Sequence, residues 1–403
     1  MISLEDALRL IEDNLPESGR TRVAVEDSIG YTLCEDIVSD IDVVSFRNSA
    51  MDGYAVCSGW LARCSRSDPV TLPCHDTVFA GESDIAAFRE GMVVKIMTGA
   101  PIPEGYDAVV KIEDTNGDNG NVNFREPIEP GANVRHPGAD IQRGQMLFTE
   151  GHVVRVLDVG VLAGIGLTRV PVYARPSVLV ATTGNEHVLP GSPLARGEIY
   201  NSNLYTVSSL VRPFSDGLET ISTVTDDPQL LRGVLQRKHD VIVTTGGVSA
   251  GERDMVVSTA VGEGWLSVFH KVRIKPGKPV YFARKGKQLL FGLPGNPLSA
   301  AVTCAMLVIP ALKRICGRTD LFPVPSPARL GKTPIRQCRR TLVWPGRLRR
   351  ETDGVVADFS PKELSQSLSA LLGSDGLIIQ GATTDTGSSR PAIGVLWWDD
   401  LLR

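Results

Sequence analysis

The sequence predicts an α/β protein of several domains, in which a central doubly wound α/β domain is accompanied by an inserted β-rich domain and a C-terminal β domain. At about 150 residues per domain, a chain of 403 residues is too long for one ordinary domain. Three continuous apolar runs alternate with segments of helical spacing, as expected of buried parallel strands. The 40 glycines and 26 prolines indicate many tight turns, or backbone that approaches something closely.

The two ends of the chain and the segment before the apolar runs have different patterns. Ser3 and Asp6 mark a helix start, and residues 1 to about 40 predict this helix followed by a strand-like segment. Residues 41–139 are rich in Gly, Pro and short Val/Ile runs, which is typical of β structure. After a proline-rich linker at 322–327, short alternating segments predict a small β domain from Arg329 to Arg403.

The α/β region is predicted from strands at 177–182, 240–245 and 289–293 and helices at 201–210 and 298–312. Strands that alternate with helices predict a parallel sheet that has helices on both faces. Ligands of such sheets bind beyond the carboxyl ends of the strands. The glycine-containing loops after these three strands are therefore the candidate site.

Composition excludes several classes of protein. With 42 basic and 46 acidic residues, the net charge of −4 argues against a nucleic-acid partner. The seven cysteines form no Cys-x-x-Cys pair, which argues against a zinc cluster or a disulfide framework. The longest nearly apolar run, residues 300–312, is shorter than the ~20 residues of a membrane span. The acidic start of the chain lacks the pattern of a secretory signal. We therefore expect no membrane association and a cytoplasmic location.

Two loops have the composition of an anion-binding site. The loop at 244–249 combines hydroxyls with small residues and free backbone N–H groups, so it is either an anion cradle or an ordinary tight turn. Its candidate binding residues are Thr245, Gly246, Gly247 and Ser249. The hexapeptide Gly-Leu-Pro-Gly-Asn-Pro at 292–297 favours a rigid anion-binding corner over a generic turn, with a helix beginning near Ser299.

Lysines and acids flank these loops. Lys275 and Lys278 lie on a loop stiffened by prolines, and strand parity places Lys271 on the same face as Lys275. Such cations suit phosphate or another oxyanion, although a surface turn with solvated lysines has the same pattern. Three acids are candidates for Mg²⁺ or for orienting water: Glu186, Asp226 and Asp254. Asp226 also fits a helix N-cap, and Asp254 a solvated acid at a helix start.

Turns in the β-rich part of the chain contribute weaker candidates. Asp52, Thr98 and Asp140 each lie beside a glycine in a short turn. An Asx-turn or a similar local hydrogen bond explains each of them equally well.

Seven of these segments, taken in order, resemble the molybdopterin molybdenumtransferase family, which includes the bacterial MoeA proteins and the C-terminal domain of gephyrin. The resemblance covers residues 1 to about 315. Its seven segments are SAMDGYAV (49–56), KIMTGAPIP (95–103), GADIQRG (138–144), TGNE (183–186), TGGVSAGERD (245–254), KPGKP (275–279) and GLPGNP (292–297). The resemblance is weak beyond Arg329.

The resemblance implies an enzyme of molybdenum cofactor biosynthesis. It would insert molybdenum from molybdate into adenylylated molybdopterin and release AMP, with Mg²⁺ present. The family's domain arrangement implies an elongated domain from 1–40 and 140–172, an inserted β domain at 41–139, an α/β molybdopterin-binding domain at 173–318, similar to that of molybdopterin adenylyltransferases, and a C-terminal β domain at 329–403. It also implies a homodimer, and molybdopterin adenylyltransferase is a further candidate partner.

The family's functional positions fall on residues of this chain already singled out. The matched positions are Asp52, Thr98, Asp140, Glu186, Asp226, Asp254, Lys271, Lys275, Pro294, Pro297 and, on a loose alignment, Ser365. The first three would approach from the partner subunit. In this interpretation Glu186, Asp226 and Asp254 bind Mg²⁺ or orient water, while Lys278 joins the other two lysines in neutralising phosphate and molybdate.

Two alternatives stay open at this point. A molybdopterin adenylyltransferase shares the α/β domain but lacks the motifs of residues 1–172. A non-catalytic molybdopterin-binding scaffold is the other alternative, and the absence of a long disordered linker in the 403 residues gives it little support.

Overall fold

The computed structural model describes eight stretches of the chain: residues 1–82, 87–118, 120–224, 227–248, 255–319, 325–361, 364–382 and 392–402. They form two compact units. The larger unit comprises Met1–Glu35, Glu150–Val156 and Arg169–Arg403, and the smaller unit comprises Asp36–Thr149 and Leu157–Thr168. The finer division into four domains stays a prediction.

A six-stranded sheet organises the α/β part of the larger unit. In chain order its strands are β1 (Val178–Thr183), β2 (Leu218–Val224), β3 (Val241–Thr245), β4 (Leu266–His270), β5 (Tyr281–Lys285) and β6 (Gln288–Leu293). Their spatial order is β2-β1-β3-β6-β5-β4, and β2, β1, β3 and β6 run parallel. The carboxyl ends of β1, β3 and β6 therefore lie side by side.

Helices cover both faces of this sheet, as the sequence predicts for a doubly wound domain. Val178 and Val180 of β1 face a core shared with helices Ser202–Val211 and Pro297–Thr303. Leu179 and Ala181 alternate to the opposite face. There they pack with the apolar faces of two further helices, Pro228–Leu235 and Met255–Gly262.

The predicted parallel arrangement holds for β1, β3 and β6 but does not extend to one edge of the sheet. Strands β5 and β6 are antiparallel, and β4 pairs antiparallel with β5. Only Gly286 and Lys287 connect β5 to β6, which suits a hairpin but is far too short for the crossover that a parallel pair requires. The sequence analysis missed β4 and β5, because neither LSVFH nor YFARK is a continuous apolar run.

The helix after β6 is almost wholly buried. It runs from Pro297 to Ile315, with a π-helical stretch at Cys304–Val308 between the α-helices Pro297–Thr303 and Ile309–Ile315. Its length and composition would allow it to cross a membrane, but 94% of its apolar stretch is buried inside the fold. It is a core helix.

The C-terminal β domain is a closed sheet. Its strands are Ser326–Leu330, Thr341–Glu351, Gly354–Phe359, Gly376–Gln380 and Ile393–Trp397. One of them is much longer than the predicted short strands, because its two halves pair with different neighbours and so close the sheet. Both pairings meet at Gly346, where an added Cβ would lie 2.4 Å from the Asp358 carbonyl oxygen.

The smaller unit contains the predicted β-rich region. Its six-stranded sheet has the spatial order Ala108–Lys111, Gly53–Val56, Val93–Ile96, Val70–Val78, Asn121–Phe124 and Thr115–Asp118. Val56, Val93 and Phe124 are fully buried on one side, while Ala55, Val94 and Ile96 are fully buried in a second cluster. The sheet thus has a packed core on each face.

The remaining elements are short. The N-terminal helix, Leu4–Glu12, is capped as predicted, since the Ser3 hydroxyl accepts a hydrogen bond from the Asp6 N–H at 3.0 Å. A second helix, Asp158–Gly164, lies in the smaller unit, and Trp398–Leu402 follows the last strand. The two-stranded pairs are Arg20–Ala24 with Arg169–Tyr173, Ile37–Val38 with Met146–Phe148, Asn48–Ser49 with Val134–Arg135, and His187–Val188 with Ile199–Tyr200.

Candidate active site

Three of the predicted loops meet at the carboxyl edge of the α/β sheet. The Gly246 N–H, after β3, donates to the Leu293 carbonyl at the end of β6 at 2.9 Å. On the other side, the Thr183 hydroxyl at the end of β1 donates to the Thr245 carbonyl at 3.2 Å. The fold therefore joins segments that are more than 100 residues apart in the sequence.

Close packing explains the two glycines after β3. Gly246 has φ +91°, and an added Cβ would lie 2.5 Å from the Thr183 hydroxyl oxygen. Only glycine tolerates this combination of left-handed backbone and close approach. The expectation of free N–H groups needs correction at Gly246, whose N–H is occupied by Leu293. Gly247, with φ +67°, packs against Val256.

Glu186 presents a carboxylate at this edge. It follows β1, and its side chain is 49% exposed, with Oε1 lying 3.6 Å from the Nε2 atom of His187. The carboxylate lies over Gly184, where an added Cβ would meet Oε2 at 2.6 Å. An exposed carboxylate at the end of a buried strand can receive a ligand without disturbing the core.

The loop at 292–297, which we call the GLPGNP loop, is held in place by its neighbours. Pro294 is buried, and Pro297 begins the core helix two residues before the predicted start. Asn296 occupies the N-cap position but makes no capping hydrogen bond with its side chain. Its Nδ2 atom instead donates to the hydroxyl of Ser365 at 3.1 Å. This contact brings the predicted C-terminal serine to the loop.

The three lysines do not share one strand face, so the parity argument is wrong. Lys271 has φ +77°, which interrupts the extended chain between β4 and the short strand Ile274–Lys275. The alternation of side chains along a strand therefore does not continue from Lys271 to Lys275. Lys275 instead pairs beside Leu342 of the C-terminal β domain. Lys275 and Lys278 are exposed, and Lys271 is partly buried.

Gly277, in the loop between Lys275 and Lys278, packs against the core helix. Its φ is +100°, and an added Cβ would lie 2.2 Å from the Cγ2 atom of Thr303. We expect Gly277→Ala to lower the free energy of unfolding by about 3 kcal/mol through strain and overpacking. The matched control is Gly286→Ala, which has φ +60° and open space, and should cost about 1 kcal/mol. Equal losses in urea titrations would show that the contact with Thr303 is unimportant.

Asp52 and Thr98 meet in the smaller unit. One oxygen of Asp52 accepts hydrogen bonds from both the backbone N–H and the hydroxyl of Thr98, each at 2.7 Å. These two bonds, followed by the positive charge of Lys95, hold the pKa of Asp52 below its usual range. The carboxylate therefore stays ionised to a lower pH than a free aspartate does. The bond joins two candidate residues that are 46 positions apart in the sequence, so it is not the local Asx-turn that would equally explain them.

Removing the Thr98 hydroxyl tests this pairing. We expect Thr98→Val to raise the pKa of Asp52 toward the ordinary value, because one of the two donors is lost while the backbone N–H remains. Any stabilisation from the depressed pKa is present above the unfolded-state value and lost as pH falls through the folded-state value. NMR titration of the carboxyl carbon measures the shift. Thr115→Val, whose hydroxyl bonds to Ile112 in the same sheet, should leave it unchanged, and an unchanged pKa in Thr98→Val would refute the pairing.

Asp140 lies in a different turn of the smaller unit. It is exposed, and its backbone N–H donates to the Val43 carbonyl at 3.1 Å. The preceding Gly138 has φ +75°, and an added Cβ would lie 2.9 Å from the Oδ1 atom of Asp42. Asp42 also accepts the Arg143 N–H at 2.8 Å, so it organises the turn that carries Asp140.

Three predicted site residues, Ser249, Asp226 and Asp254, lie outside the described residues. The sequence analysis suggested an N-cap role for Asp226. Its neighbour Asp227 has that role, since the Asp227 side chain accepts a hydrogen bond from the Gln229 N–H at 2.8 Å. Within the part of the chain that the structure describes, no group of three His, Cys, Asp or Glu residues could hold a metal ion. Glu186 is the described member of the predicted Mg²⁺ set.

Comparison with known proteins settles the family. Residues 2–166 match the family model described as "MoeA N-terminal region (domain I and II)", and residues 179–314 match "Probable molybdopterin binding domain". A relative from Mycobacterium tuberculosis, named molybdopterin molybdenumtransferase 2, is 32% identical over 330 residues, which cover 80% of this chain and 82% of the relative. The chain belongs to the molybdopterin molybdenumtransferase family.

Two further relatives agree with this membership. The molybdopterin molybdenumtransferase of Haemophilus influenzae is 34% identical over 323 residues, covering 79% of this chain and 78% of that one. Among solved structures, the molybdopterin biosynthesis moea protein from Pyrococcus horikosii superimposes with a TM-score of 0.81 at 28% identity, covering 98% and 99% of the two chains. The resemblance inferred from seven short motifs is thereby confirmed, and so is the α/β multidomain fold.

Two residues at the GLPGNP loop were not assigned a role from the sequence. Asn296 lay within a quoted motif, but its bond to Ser365 depends on a fold contact across 69 residues. Asn203, at the start of a helix, donates from Nδ2 to the Gly295 carbonyl at 2.6 Å. The only sequence signal for either is a polar amide next to a glycine-rich turn or a helix start.

Proposed function

We propose that this protein transfers molybdenum from molybdate to adenylylated molybdopterin and releases AMP and molybdenum cofactor. Family membership over four fifths of the chain is the observation that carries the proposal. The match of residues 2–166 favours this activity over the adenylyltransferase alternative, which lacks that region. The product would serve molybdoenzymes.

The proposed reaction balances with one exchanged water. Two thiols of molybdopterin replace one oxygen of molybdate and form two molybdenum–sulfur bonds, which releases one water. Hydrolysis of the phosphoanhydride consumes one water and leaves AMP and a terminal phosphate on the pterin. Both reactants are oxyanions, so the protein must neutralise their negative charge. It must also direct a water molecule to the phosphoanhydride.

The loops at the carboxyl edge of the sheet supply groups for these tasks. Exposed Lys275 and Lys278 are suited to neutralise phosphate and molybdate, and Lys271 is the third candidate. Pro294 and Pro297 stiffen the GLPGNP loop, while Thr245, Gly246 and Gly247 form the backbone beside it. Ser365 supports the loop through Asn296.

Mg²⁺ belongs to the proposal as a cofactor. Carboxylate oxygens are the ligands that Mg²⁺ prefers, and the exposed Glu186 carboxylate fits such a role. Asp226 and Asp254 are the other proposed ligands. The ion would neutralise phosphate charge, and the protein's own lysines would orient the substrate.

A homodimer and a cytoplasmic location complete the proposal. In it, Asp52, Thr98 and Asp140 reach the site from the partner subunit, and molybdopterin adenylyltransferase supplies the adenylylated substrate. Light scattering of the purified protein would test the dimer, since a monomer at assay concentration would contradict this arrangement.

The activity test incubates the protein with adenylylated molybdopterin and Mg²⁺, with and without molybdate. We expect AMP release that depends on molybdate. ATP should not be consumed, because the preceding adenylylation step is not part of this activity. Absence of molybdate-dependent AMP release would refute the proposed function.

A further inference from the structure

The buried side-chain amide of Asn203 is hydrogen-bonded to the GLPGNP loop. Asn203 lies in the first turn of the helix Ser202–Val211, and its side chain is only 1% exposed. Its Nδ2 atom donates to the carbonyl of Gly295 at 2.6 Å, in the middle of the loop. The bond joins a core helix of the α/β domain to a site loop 92 residues later in the chain.

The fold does not use Asn203 for local structure. Asn201, two residues earlier, already caps the helix by accepting the Leu204 N–H at 3.1 Å, and it donates to the Thr182 hydroxyl at 2.6 Å. By contrast, the Oδ1 atom of Asn203 is buried and has no hydrogen-bond partner among the described residues. A buried acceptor without a partner reduces stability. Among the described residues, the bond to Gly295 is the only side-chain hydrogen bond that Asn203 makes.

Other contacts fix the same loop at its two ends. The Leu293 carbonyl accepts the Gly246 N–H at 2.9 Å, and Asn296 donates to Ser365 at 3.1 Å. Gly295 packs closely on Gly246, since an added Cβ would lie 3.5 Å from the Cα of that residue. Asn203 supplies the support between these two anchors, at the glycine that has the most backbone freedom.

We propose that Asn203 is a positioning residue for molybdenum transfer, because it holds the Gly295 carbonyl and thereby fixes the backbone from Leu293 to Pro297. It acts through the loop and touches neither reactant. The inference rests on the proposed function, in which this loop helps to hold the oxyanionic substrate. A loop that is fixed before the substrate binds orients it without a further loss of conformational freedom.

Asn203→Leu is the main test. Leucine has a similar size and removes both the donor and the unpaired acceptor, while the exposed Gly295 returns its carbonyl to water. The melting temperature should therefore change little. We expect kcat for molybdate-dependent AMP release to fall by about 10- to 100-fold, because a misplaced substrate loses orientation. KM should change less than kcat.

Two further variants make the test specific. Asn203→Asp keeps the shape, and its ionised carboxylate has no donor for the Gly295 carbonyl, so this variant should lower kcat in the same direction above the pKa of the new carboxyl group. Ser208→Ala is the matched control: Ser208 lies on the same helix, is 5% exposed, and has a buried hydroxyl without a hydrogen-bond partner among the described residues. Its kinetics should match those of the wild type.

Hydrogen exchange provides a readout that does not depend on turnover. The amides of residues 293–299 should exchange faster in Asn203→Leu than in the wild type or in Ser208→Ala. Unchanged exchange, an unchanged kcat, or an effect confined to KM would each overturn the positioning role. If the wild type itself releases no AMP, the proposed function fails, whereas faster exchange in Asn203→Leu would still support the structural basis of the inference.

Discussion

Replacing Glu186 with glutamine is expected to lower kcat for molybdate-dependent AMP release by about 100-fold or more. The substitution removes a charge that the proposed mechanism uses either to bind Mg²⁺ or to orient water, and loss of a positioned acid or base costs at least this factor. The side chain is 49% exposed, so the core should be unaffected. The measurement is steady-state turnover, with the melting temperature recorded in parallel.

The control for Glu186 is a second acid, Glu198, which lies twelve residues later in the chain. Glu198 accepts the Ala195 N–H at 2.8 Å and thereby closes a turn. Glu198→Gln keeps an acceptor oxygen, so turnover should match that of the wild type. If Glu186→Gln retains full turnover, the carboxylate has no part in the reaction. If it instead loses the dimer or unfolds, the carboxylate is structural.

Replacing Gly53 with alanine is expected to destabilise the smaller unit by about 3 kcal/mol. An added Cβ would lie 2.0 Å from the Val110 carbonyl oxygen, which belongs to the backbone of the neighbouring strand and cannot rotate away. Gly53 directly follows Asp52, whose own carbonyl accepts the Ile112 N–H at 3.0 Å. The strain should therefore also disturb the pairing of Asp52 with Thr98. Differential scanning calorimetry would measure the lower unfolding temperature.

Gly59→Ala is the matched control in the same unit. Gly59 lies in the short helix Ser58–Leu61, its φ is not in the left-handed region, and an added Cβ would meet nothing within 4 Å. Its stability should be unchanged or slightly higher, because alanine favours helical backbone. Equal melting temperatures for Gly53→Ala and the wild type would contradict the close packing of Gly53 on Val110.

The parts of the fold that the sequence predicted correctly are those with long apolar signals. Strands β1, β3 and β6 and the core helix each have a continuous apolar run, and they were predicted within a few residues of their observed bounds. Strand β2, with the sequence LETISTV, has polar residues at four of its seven positions and was missed. The antiparallel edge was missed because strand direction depends on a two-residue turn, which apolar periodicity does not report.

The site was predictable as a set of loops but not as a set of contacts. Short motifs identified the ends of β1, β3 and β6, since parallel strands bring their carboxyl ends together. The side-chain parity argument failed for Lys271, because its positive φ interrupts the extended chain before Lys275. Asn203 and Asn296 escaped notice because their partners, Gly295 and Ser365, come from distant segments or other elements.

The most direct test of the account compares two products of one reaction. The wild-type protein is incubated with adenylylated molybdopterin, Mg²⁺ and limiting molybdate, and both AMP and pterin-bound molybdenum are quantified. We predict equal amounts of the two products, because each transfer cleaves one phosphoanhydride. AMP release without bound molybdenum would indicate a simple hydrolase, and this result, or the absence of both products, would contradict the proposed transfer.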